Sequence, residues 1–315
     1  MSLDLRLMRY VIAVAETGGF QAAAERLHIA QPPLSRQIRQ LEDELGVALF
    51  ERRPTRLTGA GHAFVDAARE TLAAAERTVA VTRRAARTAT GTLRVGYGPT
   101  TAHSEMPLLL AALAEAHPEV TVEAVESWDP GLVDGLRTGG LDAALGRHLP
   151  TPRDCRSLTL RAEEYVAVVH AGHRHAGRGT VALRDLRGET FRFLARDLAP
   201  DYHDAVLAAA RSTGEDFAVW HNPVPGLRNH LGVLADGFML LPRSVAEHLL
   251  PAAARLTLTD PLPPVPLQLV HRGAQDAPAL AALVRTARAL AAAEGWTADT
   301  ADAADAADAA ADSGA

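Results

Sequence analysis

The sequence predicts an α/β protein in three parts: a small all-α head ending in two short extended arms, one long helix, and a body of alternating strands and helices. Three observations carry this. Apolar residues recur at helical spacing from Leu3 to Leu45; residues 60–89 hold no proline and carry a single apolar stripe; beyond Gly91, short β-rich runs alternate with amphipathic ones. A chain of 315 residues suits two domains and a connector, at roughly 100–200 residues per domain.

In the head, Leu3, Leu7, Tyr10, Val11 and Val14 mark a first helix that Gly18-Gly19 ends. Phe20, Ala23, Ala24 and Leu27 mark a short second helix, and His28-Ile29-Ala30 is a tight link. Pro32-Pro33 then sits where a helix's first turn tolerates proline. On the third helix Leu34, Ile38, Leu41 and Leu45 fall within an arc of about 60°, and Gly46 is the natural stop. Residues 47–57, VALFERRPTRL, read as two extended arms around Pro54.

The long helix places Phe64, Ala68, Leu72, Ala75, Val79 and Ala86 on one narrow stripe. A lone helix of this kind leaves its stripe wet, so pairing with a second copy is expected over packing back on its own chain. In the body, strands are expected at 93–97, 120–125, 141–145, 165–170, 191–194, 216–220, 238–241, 256–259 and 265–270. Helices are expected at about 102–116, 130–138, 201–213, 226–236 and 277–293. Such alternation implies a mostly parallel sheet with helices on both faces, as one sheet or two lobes. From Thr297 the chain reads TADTADAADAADAAADSGA, an acidic, alanine-rich run expected to be disordered.

Composition narrows the function. Hydrophobic residues make up 48% and charged residues 22%, enough for a real core. Residues 1–90 carry 13 arginines against 10 acidic residues, whereas residues 91–315 carry 19 against 28. A basic head on an acidic body points a polyanion at the head. Cys155 is the only cysteine, which excludes an internal disulfide and a multi-cysteine metal site. No uncharged stretch reaches the ~18 residues of a membrane span, and the N-terminal run reads as a helix, not a signal peptide. A cytoplasmic protein is expected. Lysine is absent and isoleucine and asparagine are scarce, a bias consistent with codon usage.

Ser35, Arg36, Arg39 and Gln40 lie opposite the buried stripe of the third helix, with Gln31 at its N-terminus and no acid between Glu25 and Glu42. Arginine reads guanine edges bidentately, glutamine can read adenine, and hydroxyls and helix N-terminal N–H groups hold phosphate. Two helices joined by a tight link, the second polar outside, form a helix-turn-helix. The bland alternative is a solvated helix face.

The string FQAAAERLHIAQPPLSRQIRQLEDELGVALFER, with LRLMRYVIAVAETGGF before it and RLTGAGHAF after it, resembles the DNA-binding domain of LysR-type transcriptional regulators. The resemblance runs from residue 3 to about 295 and is most specific over 3–65. It implies a winged helix-turn-helix at 3–60, a dimerising linker helix at 61–90, and a two-lobed α/β effector domain resembling periplasmic solute-binding proteins at 91–295; composition alone marks 296–315 as an acidic tail. By the resemblance, Gln31, Pro32, Ser35 and Arg36 match DNA-contacting positions, Arg39 is a phosphate contact, and Arg52, Arg53 and Arg56 form a wing shorter than the family's usual one.

The resemblance also places an effector between the lobes. Thr100, Thr101 and Ser104 sit where the first body strand runs into a helix, a place that suits an anion or ordinary N-capping. Thr100 matches the family's effector position, and Arg147 matches an arginine of the branch that senses aromatic catabolites. Arg147 could pair with a carboxylate or form a surface salt bridge. Asp129 and Tyr202 fall where that branch lines the cleft; Asp129 would repel an anion unless it meets a hydroxyl or amine. The segment NPVPGLRNHLGVLADGF departs from the family's usual run.

No catalytic residue, metal site or cofactor is expected. The histidines of HAGHRH lack cysteine or carboxylate at ligand spacing. Arg153 and Arg156 flank Cys155 and could lower its pKa, but a disulfide switch needs a second cysteine. No GxSxG, P-loop or HExxH string occurs. The expected function is a sequence-specific DNA-binding transcriptional regulator switched by a small molecule, with a carboxylate as the expected effector. Its partners are an operator duplex, the effector, RNA polymerase and further copies of the chain as homodimer or homotetramer, with no membrane. The rival is a solute-binding protein or enzyme built on the body; a DNA mobility-shift assay separates the two.

Overall fold

The computed structural model describes residues 3–52, 54–89, 91–222, 237–248, 252–273 and 277–296. The expected helix at 226–236, most of the segment NPVPGLRNHLGVLADGF, Arg53 and the tail beyond Trp296 lie outside the described residues. Two compact units divide the chain at Thr82/Arg83.

The first unit begins with helices α1 (Leu5–Thr17), α2 (Phe20–Arg26) and α3 (Gln31–Leu45). Asp4 caps α1 by accepting the Arg6 N–H at 2.8 Å. Gly46 ends α3 at φ +70°, a left-handed conformation that favours glycine. The periodic apolar residues meet in one core: Val11, Val14, Ala23, Leu34, Ile38 and Leu41 are buried together with Leu49 and Phe50. Strands β1 (Phe50–Arg52) and β2 (Thr55–Leu57) pair antiparallel, with Arg52 opposite Thr55. Helix α4 (Gly59–Ala89) follows. Its first turns bury Val65 in the same core, and Ala68 is buried too, whereas Val79 and Val81 are both 51% exposed.

The second unit holds two sheets. In the first, β3 (Thr92–Tyr97), β4 (Thr121–Glu126), β5 (Ala143–Arg147), β6 (Cys155–Glu163) and β13 (Val265–Arg272) run in the order β4-β3-β5-β13-β6. Helices α5 (Glu105–Ala116) and α9 (Pro278–Ala293) cover one face through Leu109, Leu113, Leu280 and Leu283. Helix α6 (Asp129–Thr138) covers the other through Leu132 and Leu136. Ala143 and Leu145 face one core and Ala144 the other, the period of two that a strand imposes.

The second sheet is built from β7 (Tyr165–His170), β8 (Thr180–Val181), β9 (Thr190–Leu194), β10 (Val219–Asn222), β11 (Gly237–Pro242) and β12 (Ala253–Leu258), in the order β10-β9-β11-β7-β12-β8. Val166 and Val168 pack with Met239 and Leu241 on one face; Ala167 and Val169 face the other, beneath α7 (Pro200–Arg211). Burial on both faces explains the unbroken apolar run YVAVVH. The chain passes between the lobes twice, after β6 and before β13.

Three expectations are corrected. The sheets are mixed rather than mostly parallel, because β13, β6, β7 and β12 include antiparallel pairings. Strand β6 was not expected: CRSLTLRAE is an edge strand with half its residues polar, so it lacks the apolar run of a central strand. Helix α5 starts at Glu105, not 102, because a 3-10 turn at Pro99–Thr101 intervenes.

Candidate DNA-reading face and effector cleft

Helix α3 is held by its buried stripe, so its opposite face is free. Ser35 is half-buried, and Pro32, Arg36, Arg39 and Gln40 are exposed. The ion pairs around this unit involve Arg6, Arg26 and Arg69 with Asp4 and Glu16, leaving Arg36, Arg39 and Arg56 without one among the described residues. Gln40 is tied to Glu44 at 3.2 Å. Pro32 and Pro33 occupy the second and third helical positions and have no N–H. Of the first turn's donors only the Ala30 and Gln31 N–H groups then remain, so phosphate recognition here falls mainly on side chains. The link between α2 and α3 turns at His28, whose φ is +55°.

One residue that sequence reasoning missed fixes the wing. Glu42 is 9% exposed, and its Oε1 accepts the N–H groups of Leu49 at 2.8 Å and Phe50 at 3.1 Å. It occupies a helix position that a polarity pattern assigns to solvent. Behind the wing, a Cβ on Gly61 would lie 2.1 Å from the Leu49 carbonyl oxygen, so only glycine fits. Arg52 lies on β1 and Arg56 is exposed on β2.

In the second unit the four residues expected at the effector site share one neighbourhood between the lobes. Arg147 ends β5 and is 2% exposed. Its Nη1 donates to the Thr100 carbonyl at 2.8 Å; its Nη2 donates to Glu105 at 2.5 Å, to Glu163 at 2.7 Å and to the Ser244 hydroxyl at 2.8 Å. Burial opposes the guanidinium charge, but Glu105 and Glu163 outweigh it and raise the pKa of Arg147. Ser244 comes from the second lobe at the start of α8 (Arg243–Glu247) and donates to both carboxylates at 3.0 Å. Arg147 is thus neither a surface salt bridge nor an open guanidinium awaiting a ligand. It is buried and already engaged by two carboxylates of its own chain.

Ser104 and Thr101 are likewise used internally: Ser104 donates to the Glu105 carboxylate at 2.6 Å, and Thr101 to the Gly98 carbonyl at 2.8 Å. The N-terminus of α5 therefore carries the chain's own carboxylate, Glu105.

Among the described residues, two polar groups beside this cluster are buried without a partner. Tyr202, on α7, is 3% exposed and its hydroxyl makes no hydrogen bond; burial foremost pushes its pKa well up, with Tyr165, Glu163 and Asp129 adding to it. Asp129, the first residue of α6, is 7% exposed, and its Oδ2 makes none. Burial, then the charge of Asp201, pushes its pKa up to about 7. A cavity of about 360 Å³ opens here, lined by Asp129, Asp134 and Arg137 of α6, by Pro150, and by Pro200 and Asp201 of α7.

Elsewhere, His173 bonds Glu189 at 2.9 Å, and the histidine-rich loop gathers no metal-ligating group among the described residues. Burial raises the pKa of Cys155 instead of lowering it, despite the nearby Arg272 and Arg84. Among the described residues, no helix is long and apolar enough to cross a membrane.

Known proteins share this arrangement. The family described as "Bacterial regulatory helix-turn-helix protein, lysR family" matches residues 5–62, and "LysR substrate binding domain" matches residues 86–292. The HTH-type transcriptional regulator TcbR of Pseudomonas sp. (strain P51) is 32% identical over 291 residues, covering 91% of this chain and 98% of TcbR. BenM of Acinetobacter baylyi (strain ATCC 33305 / BD413 / ADP1), with the same description, is 31% identical over 302 residues, covering 94% and 98%. Among solved structures, full-length CbnR complexed with its target DNA superposes with a TM-score of 0.58 at 32% identity, covering 91% of this chain and 100% of CbnR. With its buried helix-turn-helix core, its long helix and its two-lobed α/β body, the chain belongs to the LysR family of bacterial transcriptional regulators, which are not enzymes.

Proposed function

We propose that α3 reads operator DNA through Gln31, Pro32, Ser35 and Arg36, that Arg39 and the wing arginines Arg52, Arg53 and Arg56 hold phosphate, and that a small carboxylate between the lobes switches this binding in the cytoplasm. The observation that carries the DNA reading is the exposed α3 face, whose two arginines have no acid to answer them among the described residues. The target-DNA complex of CbnR supports it. Residues 3–60 would bind DNA, 61–90 would join copies through the Val79 side of α4, and 91–295 would take the effector. Val79, on the apolar stripe of α4 and 51% exposed, favours a homodimer or larger assembly.

For the effector, Thr100 and Tyr202 offer hydroxyl donors, and Arg147 acts as a positioning residue that fixes the Thr100 backbone. Ser244 and Arg147 join the lobes through Glu105 and Glu163, so a ligand that prefers one lobe arrangement shifts the whole chain toward it. Contact with RNA polymerase would follow from that shift. The test is fluorescence anisotropy of the full chain on genomic DNA bordering its own gene, over a range of salt and with small carboxylates added. Specific binding with a steep salt dependence, altered by a carboxylate, is expected. Affinity that ignores salt and sequence would refute the assignment of α3.

A further inference from the structure

The cavity between α6 and α7 adjoins the proposed effector site through Asp129 and is acidic. Three carboxylates line it, and the one arginine there, Arg137, is bonded to Asp134 at 2.6 Å. That leaves Asp129 without a cation among the described residues, while Asp201 is exposed on α7 and acts on His148 and Arg196. Arg196 senses Asp201, but its guanidinium is bonded to Asp204 at 2.6 Å. Asp129 is more than nine-tenths buried, comes from the first lobe, and keeps an oxygen with no hydrogen-bond partner among the described residues; Asp201 comes from the second lobe and lines the same space from an exposed position. Buried carboxylates are normally paired or hydrogen-bonded, and an exception in a cavity is a place for a ligand.

Resting on the proposed carboxylate effector, we infer that this effector also bears a positively charged nitrogen, and that Asp129 and Asp201 receive it from the two sides of the cleft. An ammonium group supplies N–H donors to the empty Oδ2 and offsets the two negative charges. It also gives a reason for the lobes to close, since each contributes one carboxylate. The raised pKa of Asp129 agrees with this, because it marks a carboxylate whose counter-charge is missing. A metal ion is disfavoured, since no group of three metal-ligating side chains forms among the described residues. The cavity, about 360 Å³, lies in the range of small-ligand pockets. The carboxylate end would lie toward Tyr202, whose buried hydroxyl is near enough for Asp129 to act on it.

The test uses the full chain and matched probes: hexanoate, its ω-hydroxy and ω-amino forms, and hexylamine, with phenylpropanoate against phenylalanine as a second pair. Thermal shift ranks them and calorimetry measures affinity. The amino-carboxylates should bind at least about tenfold more tightly than their parent acids, and Asp129→Asn and Asp201→Asn should each collapse that gain. Parent or hydroxy acids that bind as well as the amino forms overturn this inference and leave the carboxylate reading standing. Hexylamine matching the ω-amino acid overturns the carboxylate reading and leaves the charged nitrogen. An amino-acid advantage that survives both substitutions overturns the assignment to these aspartates, and no binding by any probe at about 10 mM counts against both readings.

Discussion

Replacing Asp129 with asparagine should stabilise the protein, and the gain should depend on pH. In the folded chain burial, then Asp201, holds the Asp129 pKa at about 7, against 3.8 for the free side chain. Below about pH 4 the carboxyl is protonated in both states and contributes nothing. Between about pH 4 and 7 the unfolded chain gives up the proton while the folded chain keeps it, so stability is lost as pH rises. Above about pH 7 the loss is complete, and three decades at ~1.4 kcal/mol each set it at ~4 kcal/mol, an upper figure. Asparagine keeps the shape and carries no charge. At pH 8 the variant should melt above the parent by up to about 8–16 °C, at roughly 2–4 °C per kcal/mol for a unit of this size. Near pH 4 the two curves should coincide. Differential scanning of the full chain across this range reads both. The groups around Asp129 are Asp201 and Tyr202 from α7 and Asp134 and Arg137 from α6, with His148 after β5 beside Asp201 and Tyr202, its own pKa lowered by burial. A variant no more stable than the parent at pH 8, or equally stabilised at both pH values, refutes the argument.

Other outcomes follow from the same geometry. Ser35→Ala and Arg36→Ala should each weaken operator binding by about 1–3 kcal/mol in anisotropy titrations while leaving circular dichroism unchanged, because both lie off the buried stripe. Leu72→Glu should split the assembly in analytical ultracentrifugation, since a charge would fall on the apolar seam of α4. Arg147→Ala leaves Glu105 and Glu163 buried without their cation and should lower stability by about 3–5 kcal/mol, read by denaturant melts at pH 7. Gly61→Ala should disrupt the first unit, because the new methyl meets the Leu49 carbonyl; normal DNA affinity and melting in that variant would contradict it.

What the sequence determined by itself was whatever short-range periodicity encodes. Leu34, Ile38 and Leu41 recur within one helix, so the buried side of α3, and hence the outward face with Arg36 and Arg39, is legible without a fold. The string around Gln31–Arg36 added the family, and with it the neighbourhood of Thr100, Asp129, Arg147 and Tyr202. What those side chains do there was decided by tertiary structure. Arg147 meets Glu105, Glu163 and Ser244, which lie 42, 16 and 97 residues away in the chain, and no local pattern couples such positions. Strand β6 was hidden for a related reason: an edge strand buries little, so its pairing with β13 leaves no continuous apolar signal. Glu42 reads as a solvent-facing acid until Leu49 and Phe50 fold back to donate to it. Asp129 is a helix-starting aspartate in the sequence. It becomes a buried carboxylate beside a second one only when two lobes, far apart in the chain, close around the same cavity; burial and charge spacing are properties of that assembly, not of the residue.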